Sequence, residues 1–111
     1  MRTYLGELEE LIMLTVGVLY PEAYGVSVMD ELKVQAGRTL NISSVHSVLI
    51  RLEDKGFLKS YMSEPREERG GRRKRIFTLT ASGKIVLEES QLLRNQLYAM
   101  IPKPAFDFKL T

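Results

Sequence analysis

The sequence predicts a mainly α fold with a small β-hairpin, an α+β winged helix-turn-helix with an added C-terminal helix, and three observations predict it. Apolar residues recur at helical spacing in four separate stretches. The third stretch, residues 41–56, runs directly into two short apolar segments, 57–62 and 75–79. Between those segments lie residues 64–74, a charged stretch too long for a tight turn but suited to a hairpin with an extended tip.

Each element follows from its own residues. From Gly6 to Tyr20, Leu8, Leu11, Ile12, Thr15 and Leu19 share one helical face. Met13, Leu14, Val16 and Val18 fill the other, so this helix should be buried on two sides. Tyr20-Pro21 ends it, because proline cannot donate to the helical ladder. A second helix is expected from about Tyr24 to Ala36, burying Val28, Leu32 and Met29 and stopping at a left-handed Gly37. Arg38-Thr39-Leu40 reads as a short strand. Asn41 then caps a third helix whose core stripe is Val45, Val48, Leu49 and Leu52, closed by Gly56. After the hairpin, Thr80 caps a fourth helix from about Ala81 to Met100, with Val86, Leu93, Leu97 and Met100 in one row and Ile85 and Leu92 beside it. A three-helix head has too little surface to cover so long a stripe. Pro102 and Pro104 stop this helix, and the aromatic tail with Phe106 and Phe108 is expected to dock across a dimer. The expected organisation is a winged helix-turn-helix domain over residues 1–80 and a dimerisation helix with tail over 81–111.

A chain of 111 residues forms one small domain with a thin core. No apolar run reaches membrane-span length, and the start turns acidic where a signal peptide would be hydrophobic, so the protein reads as cytoplasmic with no membrane partner. The absence of cysteine removes disulfides, thiolate nucleophiles and zinc ribbons together. The net charge is only +2, but it is unevenly spread. Residues 1–31 carry one base against six acids, a balance of −5, while residues 32–75 carry eleven bases against five acids, a balance of +6. A polyanion would meet the middle of this chain.

Two groups of residues suit that role. On the third helix, Ser43, Ser44, His46, Ser47 and Arg51 project away from the core stripe. Small hydroxyl residues let a helix axis come close to base edges, while His46 and Arg51 can donate to bases or phosphates, and Ile50 can touch a thymine methyl. Serines beside a cap are otherwise ordinary helix-start residues; the hairpin that follows makes them candidates. In the hairpin tip, Arg66, Arg69, Arg72, Arg73, Lys74 and Arg75 surround Gly70-Gly71, so a loop without side chains could lie against phosphates while guanidinium groups flank it. The bland alternative is a charged guard on a hairpin edge.

Other chemistries find little to build on. His46 is the single histidine, and with no cysteine a metal site is not expected. No serine has a base at nucleophile spacing, and Gly70-Gly71 lacks the strand and helix that flank a phosphate-binding loop, so neither catalysis nor a cofactor is expected. The five methionines read as core filler. Glu9, Glu10 and Glu22 read as the solvated side of an early helix.

In this order and spacing the motifs resemble the PadR family of winged-helix transcriptional regulators over most of the chain, from about Leu5 to Leu97. Residues 5–14 (LGELEELIML) resemble the family's first helix, Ala23-Tyr24-Gly25-Val26 the opening of its second, and residues 52–58 (LEDKGFL) the exit of its third. Most specific is Arg69-Gly70-Gly71-Arg72-Arg73-Lys74-Arg75 running into Phe77-Thr78-Leu79-Thr80-Ala81-Ser82-Gly83, which resembles the wing and fourth-helix start. The resemblance implies a homodimer assembled by the first and last helices, through residues such as Leu11, Leu14, Val18, Val86, Leu93, Leu97 and Met100. It also implies a repressor of near-palindromic operator DNA, released by a small-molecule effector or another signal. His46 stands where many members have tyrosine, and the short C-terminal region is similar to the compact subgroup with one dimerisation helix. A winged-helix module for protein or RNA partners is the competing reading. It would call for an apolar third-helix face or for exposed aromatics, of which Tyr61 is the obvious one.

Overall fold

The computed structural model describes residues 5–64 and 73–108. Its elements are α1 (Glu7–Leu19), α2 (Gly25–Ala36), α3 (Ile42–Asp54), β1 (Leu58–Met62), β2 (Arg75–Leu79) and α4 (Ala81–Met100), followed by a 3₁₀ turn at Lys103–Phe106. This is the expected winged helix, mostly helical with one antiparallel hairpin.

Local chemistry sets the boundaries. Asn41 Oδ1 accepts the Ser44 N–H at 2.7 Å, satisfying a donor that the first turn of α3 would leave unpaired. Thr80 does the same for α4, accepting the Gly83 N–H at 3.0 Å, and its own hydroxyl donates to the Gly56 carbonyl at 2.6 Å. Gly37 ends α2 at φ 64°, where a side chain would be strained.

In the hairpin, Leu58 pairs with Leu79, Ser60 with Phe77 and Met62 with Arg75. Leu58, Ile76 and Phe77 sink into the core, which is built on Ile12, Met13 and Val16 of α1, Val28 and Leu32 of α2, and Val45, Val48, Leu49 and Leu52 of α3. The core stripe expected for α3 is thus buried throughout.

Two expectations are corrected. Residues 38–40 do not form a strand. The outer edge of β2 is taken by the α1–α2 connection, where the Phe77 N–H donates to the Ala23 carbonyl at 2.8 Å. Arg38 is spent instead on an ion pair with Glu7 at 2.6 Å. Nor do Glu9 and Glu10 form a solvated face. Glu9 is 7% exposed and accepts from the Gly6 N–H and from Lys55 Nζ, at 3.0 and 2.7 Å. Glu10 accepts from the Ser90 hydroxyl at 2.7 Å and lies 3.3 Å from Arg94 Nη2, tying α1 to α4. Their partners lie far along the chain, which is why local spacing did not reveal them.

Beyond its first turns α4 leaves the core. Gly83 and Val86 are buried, whereas Leu92, Leu97 and Met100 are exposed. The radius of gyration, 17.5 Å, exceeds the roughly 13 Å of a compact chain this long, in keeping with a helix that projects from the core. The tail turns back at Pro102, setting the Phe106 ring 5.9 Å from that of Tyr98, and Phe108 stays exposed.

Candidate nucleic-acid interface

The second and third helices cross closely because Gly25 opens α2. The His46 ring lies over Gly25, and a Cβ there would stand 2.7 Å from Nε2. Ser43, His46 and Ser47 are exposed along the outer side of α3, and Ser44, half-buried, gives its N–H to the cap. Arg51 is exposed too, but its Nη1 stands 3.9 Å from Glu9 Oε2, so it leans toward α1.

The tip end of the hairpin reaches the same place. Lys74 Nζ sits 4.0 Å above the centre of the Tyr24 ring, a cation–π contact, and the Lys74 N–H donates to Ser63 Oγ at 2.8 Å. The start of α2 is therefore where a side chain of α3 and a lysine of the hairpin converge, on the adjacent residues Gly25 and Tyr24. Tyr24 was not foreseen as a site residue, since nothing in local spacing marks a cap aromatic as the seat of a lysine. Arg73 is exposed. Arg75 is turned inward, its Nη2 to Glu53 and its Nε to Ser60. Arg66, Arg69, Gly70, Gly71 and Arg72 lie outside the described residues.

Charge around α1 is organised by ion pairs. Burial pushes the Glu9 carboxyl upward, but the Lys55 ammonium, the Gly6 N–H and Arg51 outweigh it and hold the group below its usual range. Glu7 is lowered by its hydrogen bond and charge interaction with Arg38. The acidic start of the chain thus absorbs cations from α3, from α4 and from the segment before α3.

Of the residues expected at a subunit contact, Leu14 and Val18 on α1 and Leu97 and Met100 on α4 are exposed, Leu93 is half-buried, Leu11 packs against the core and Val86 is inside it. Among the described residues, no group of three or more His, Asp or Glu could hold a metal ion, and no helix is long and apolar enough to cross a membrane.

Comparison with known families matches residues 16–89, from the middle of α1 into α4, to the transcriptional regulator PadR-like family. The chain belongs to the PadR-like family of transcriptional regulators. Among solved structures it is similar to a PadR family transcription regulator from hypervirulent Clostridium difficile R20291, with 29% identity, a TM-score of 0.64, and coverage of 86% of this chain and 95% of that one. A PadR-like transcription factor from Bacteroides fragilis is 26% identical at a TM-score of 0.67, covering 83% and 84% of the two chains. A PadR-like regulator from Bacillus cereus ATCC 14579 shares the fold at a TM-score of 0.70, over 92% of this chain and 93% of its own, with only 16% identity. No curated protein matches the chain. Within this PadR-like chain, residues 5–14, 23–26, 52–58 and 77–83, which resembled the family, contribute to the core and the α2–α3 crossing, while 69–72 lie outside the described residues.

Proposed function

We propose that this PadR-like protein binds double-stranded DNA sequence-specifically as a homodimer and regulates transcription, as a repressor released by a small molecule or another signal. One observation carries the reading: His46, in the exposed row Ser43, His46 and Ser47 on α3, and Lys74, where the hairpin passes into its tip, meet at the start of α2. An α3 lying in the major groove would bring the tip end of the wing to the neighbouring backbone, with the side chains of α3 reading base edges and Arg73, Lys74 and the tip arginines anchoring the register. Support for the dimer comes from the apolar residues left open on α1 and α4, Leu14, Val18, Leu97 and Met100. A two-fold dimer would place its recognition helices about 34 Å apart, one helical turn of DNA.

The test is a gel-shift titration against the chain's own upstream DNA, an unrelated duplex and a single-stranded RNA, across a salt series. The expected result is tightest binding to the upstream duplex, with affinity falling steeply as salt rises. Equal affinity for the RNA, or no retardation of any duplex, would overturn the reading.

A further inference from the structure

Arg75 opens β2 beside the tip, yet its guanidinium faces the protein. Nη2 donates to Glu53 Oε1 at 2.5 Å, and Nε donates to Ser60 Oγ at 2.9 Å. The Ser60 hydroxyl in turn donates to Glu53 Oε2 at 2.5 Å. These contacts close a ring through three elements: the last turn of α3, the middle of β1 and the first residue of β2.

We propose that this ring is a strut that fixes the wing's angle against the recognition helix, and that Arg75 serves DNA binding as a positioning residue and not as a phosphate contact. The edge formed by Nε and Nη2 is the fork with which an arginine would clasp a phosphate, and here it is occupied. The guanidinium carbon also lies 5.5 Å from the centre of the fully buried Phe77 ring, which limits its swing. The hairpin needs such a strut at this end. Leu58, Ile76 and Phe77 are buried, but toward the tip the two β1 residues that pair with Ile76 and Arg75, Tyr61 and Met62, are each 53% exposed. Glu53 stands on the same rigid helix as Ser43, His46 and Ser47, so the ring refers the wing directly to the reading face. At 25% exposure for the Glu53 side chain and 44% for Arg75, the pair is partly screened and its effect is moderate.

The inference rests on the DNA-binding reading, and it makes a prediction of unusual sign. Glu53→Gln removes a negative charge from a DNA-facing region, so electrostatics alone would tighten binding. A strut predicts the reverse. Binding of the upstream duplex, followed by fluorescence anisotropy across a salt series, should weaken about fivefold in Glu53→Gln with an unchanged salt slope. Arg75→Glu should bind more weakly still, and the charge-swapped pair Glu53→Arg with Arg75→Glu should recover most of that loss. A phosphate contact could not be rescued by placing glutamate at 75. Equal or tighter binding by Glu53→Gln, or a double variant no better than Arg75→Glu alone, would overturn the proposal.

If a charged variant does not fold, Ser60→Ala, which removes a single hydroxyl, carries the same expectation of weaker binding at an unchanged slope. In DNA-free protein, the Ser63 N–H, which donates to the Lys74 carbonyl at 2.7 Å across the hairpin, should exchange faster in Glu53→Gln than in the parent. Unchanged exchange there would count against the strut even if the parent bound no duplex at all, a failure that would fall on the DNA reading.

Discussion

A Cβ at Gly83 would stand 2.2 Å from the Phe57 carbonyl oxygen, a backbone atom that cannot step aside. Gly83→Ala should therefore lift the start of α4 off the core and cost about 2 kcal/mol or more, read as a lower thermal midpoint. Gly25 presents the opposite case, because the atoms a Cβ would strike belong mainly to the His46 ring, which can rotate away. Gly25→Ala should shift the thermal midpoint much less than Gly83→Ala while weakening duplex binding, as the ring moves from its seat on α2. A midpoint drop as large as that of Gly83→Ala would show that the helix crossing, and not the ring, absorbs the methyl group. Both glycines stood in the motifs that drew attention to the sequence. Their spatial reason did not, since each is set by a residue more than twenty positions away.

At the scale of elements, whatever depended on neighbours along the chain was legible. Asn41, Thr80 and Gly37 act within their own turns, so the ends of α2, α3 and α4 followed from residue type, and β2 followed from its apolar run. The misread strand at 38–40 and the misread face of α1 share one cause: each was settled by a competitor from elsewhere. Ala23 took the edge of β2, and Lys55, 46 residues from Glu9, turned a nominally solvated carboxylate into the tie between α1 and α3. That tie has a pH signature. Glu9 is lowered in the folded chain from its ordinary 4.5, so its contribution is complete above that value and is lost as pH falls through the lowered folded value. Thermal midpoints taken in steps below pH 4.5 should fall more steeply for the parent than for Glu9→Gln, with the two curves converging at the acid end. Parallel curves would mean that Lys55 does not stabilise the Glu9 carboxylate.

For the molecule as a whole, the decisive fact is what α4 leaves uncovered. Leu92, Leu97 and Met100 are 68%, 56% and 69% exposed, and Val18 on α1 is 70% exposed. Each such side chain, once buried, contributes about 1.5–3 kcal/mol, so a second copy laid along this surface has ample apolar area to gain. The proposed function depends on that assembly, because one recognition helix would read a single half-site, and joining two would make the second binding event intramolecular. The sequence showed the long stripe and the missing cover, but a stripe alone names no partner. Leu97→Asp puts a charge where the proposed contact would exclude water, with little effect on the chain's own core, since Leu97 touches none of it closely enough to be buried. Light scattering should give the parent at twice 12.7 kDa and the variant at 12.7 kDa. Affinity for a duplex with two half-sites should fall more than about tenfold, while affinity for a single half-site should hardly change. If both duplexes lost affinity equally, the aspartate would be acting through the fold of each subunit and not through their pairing.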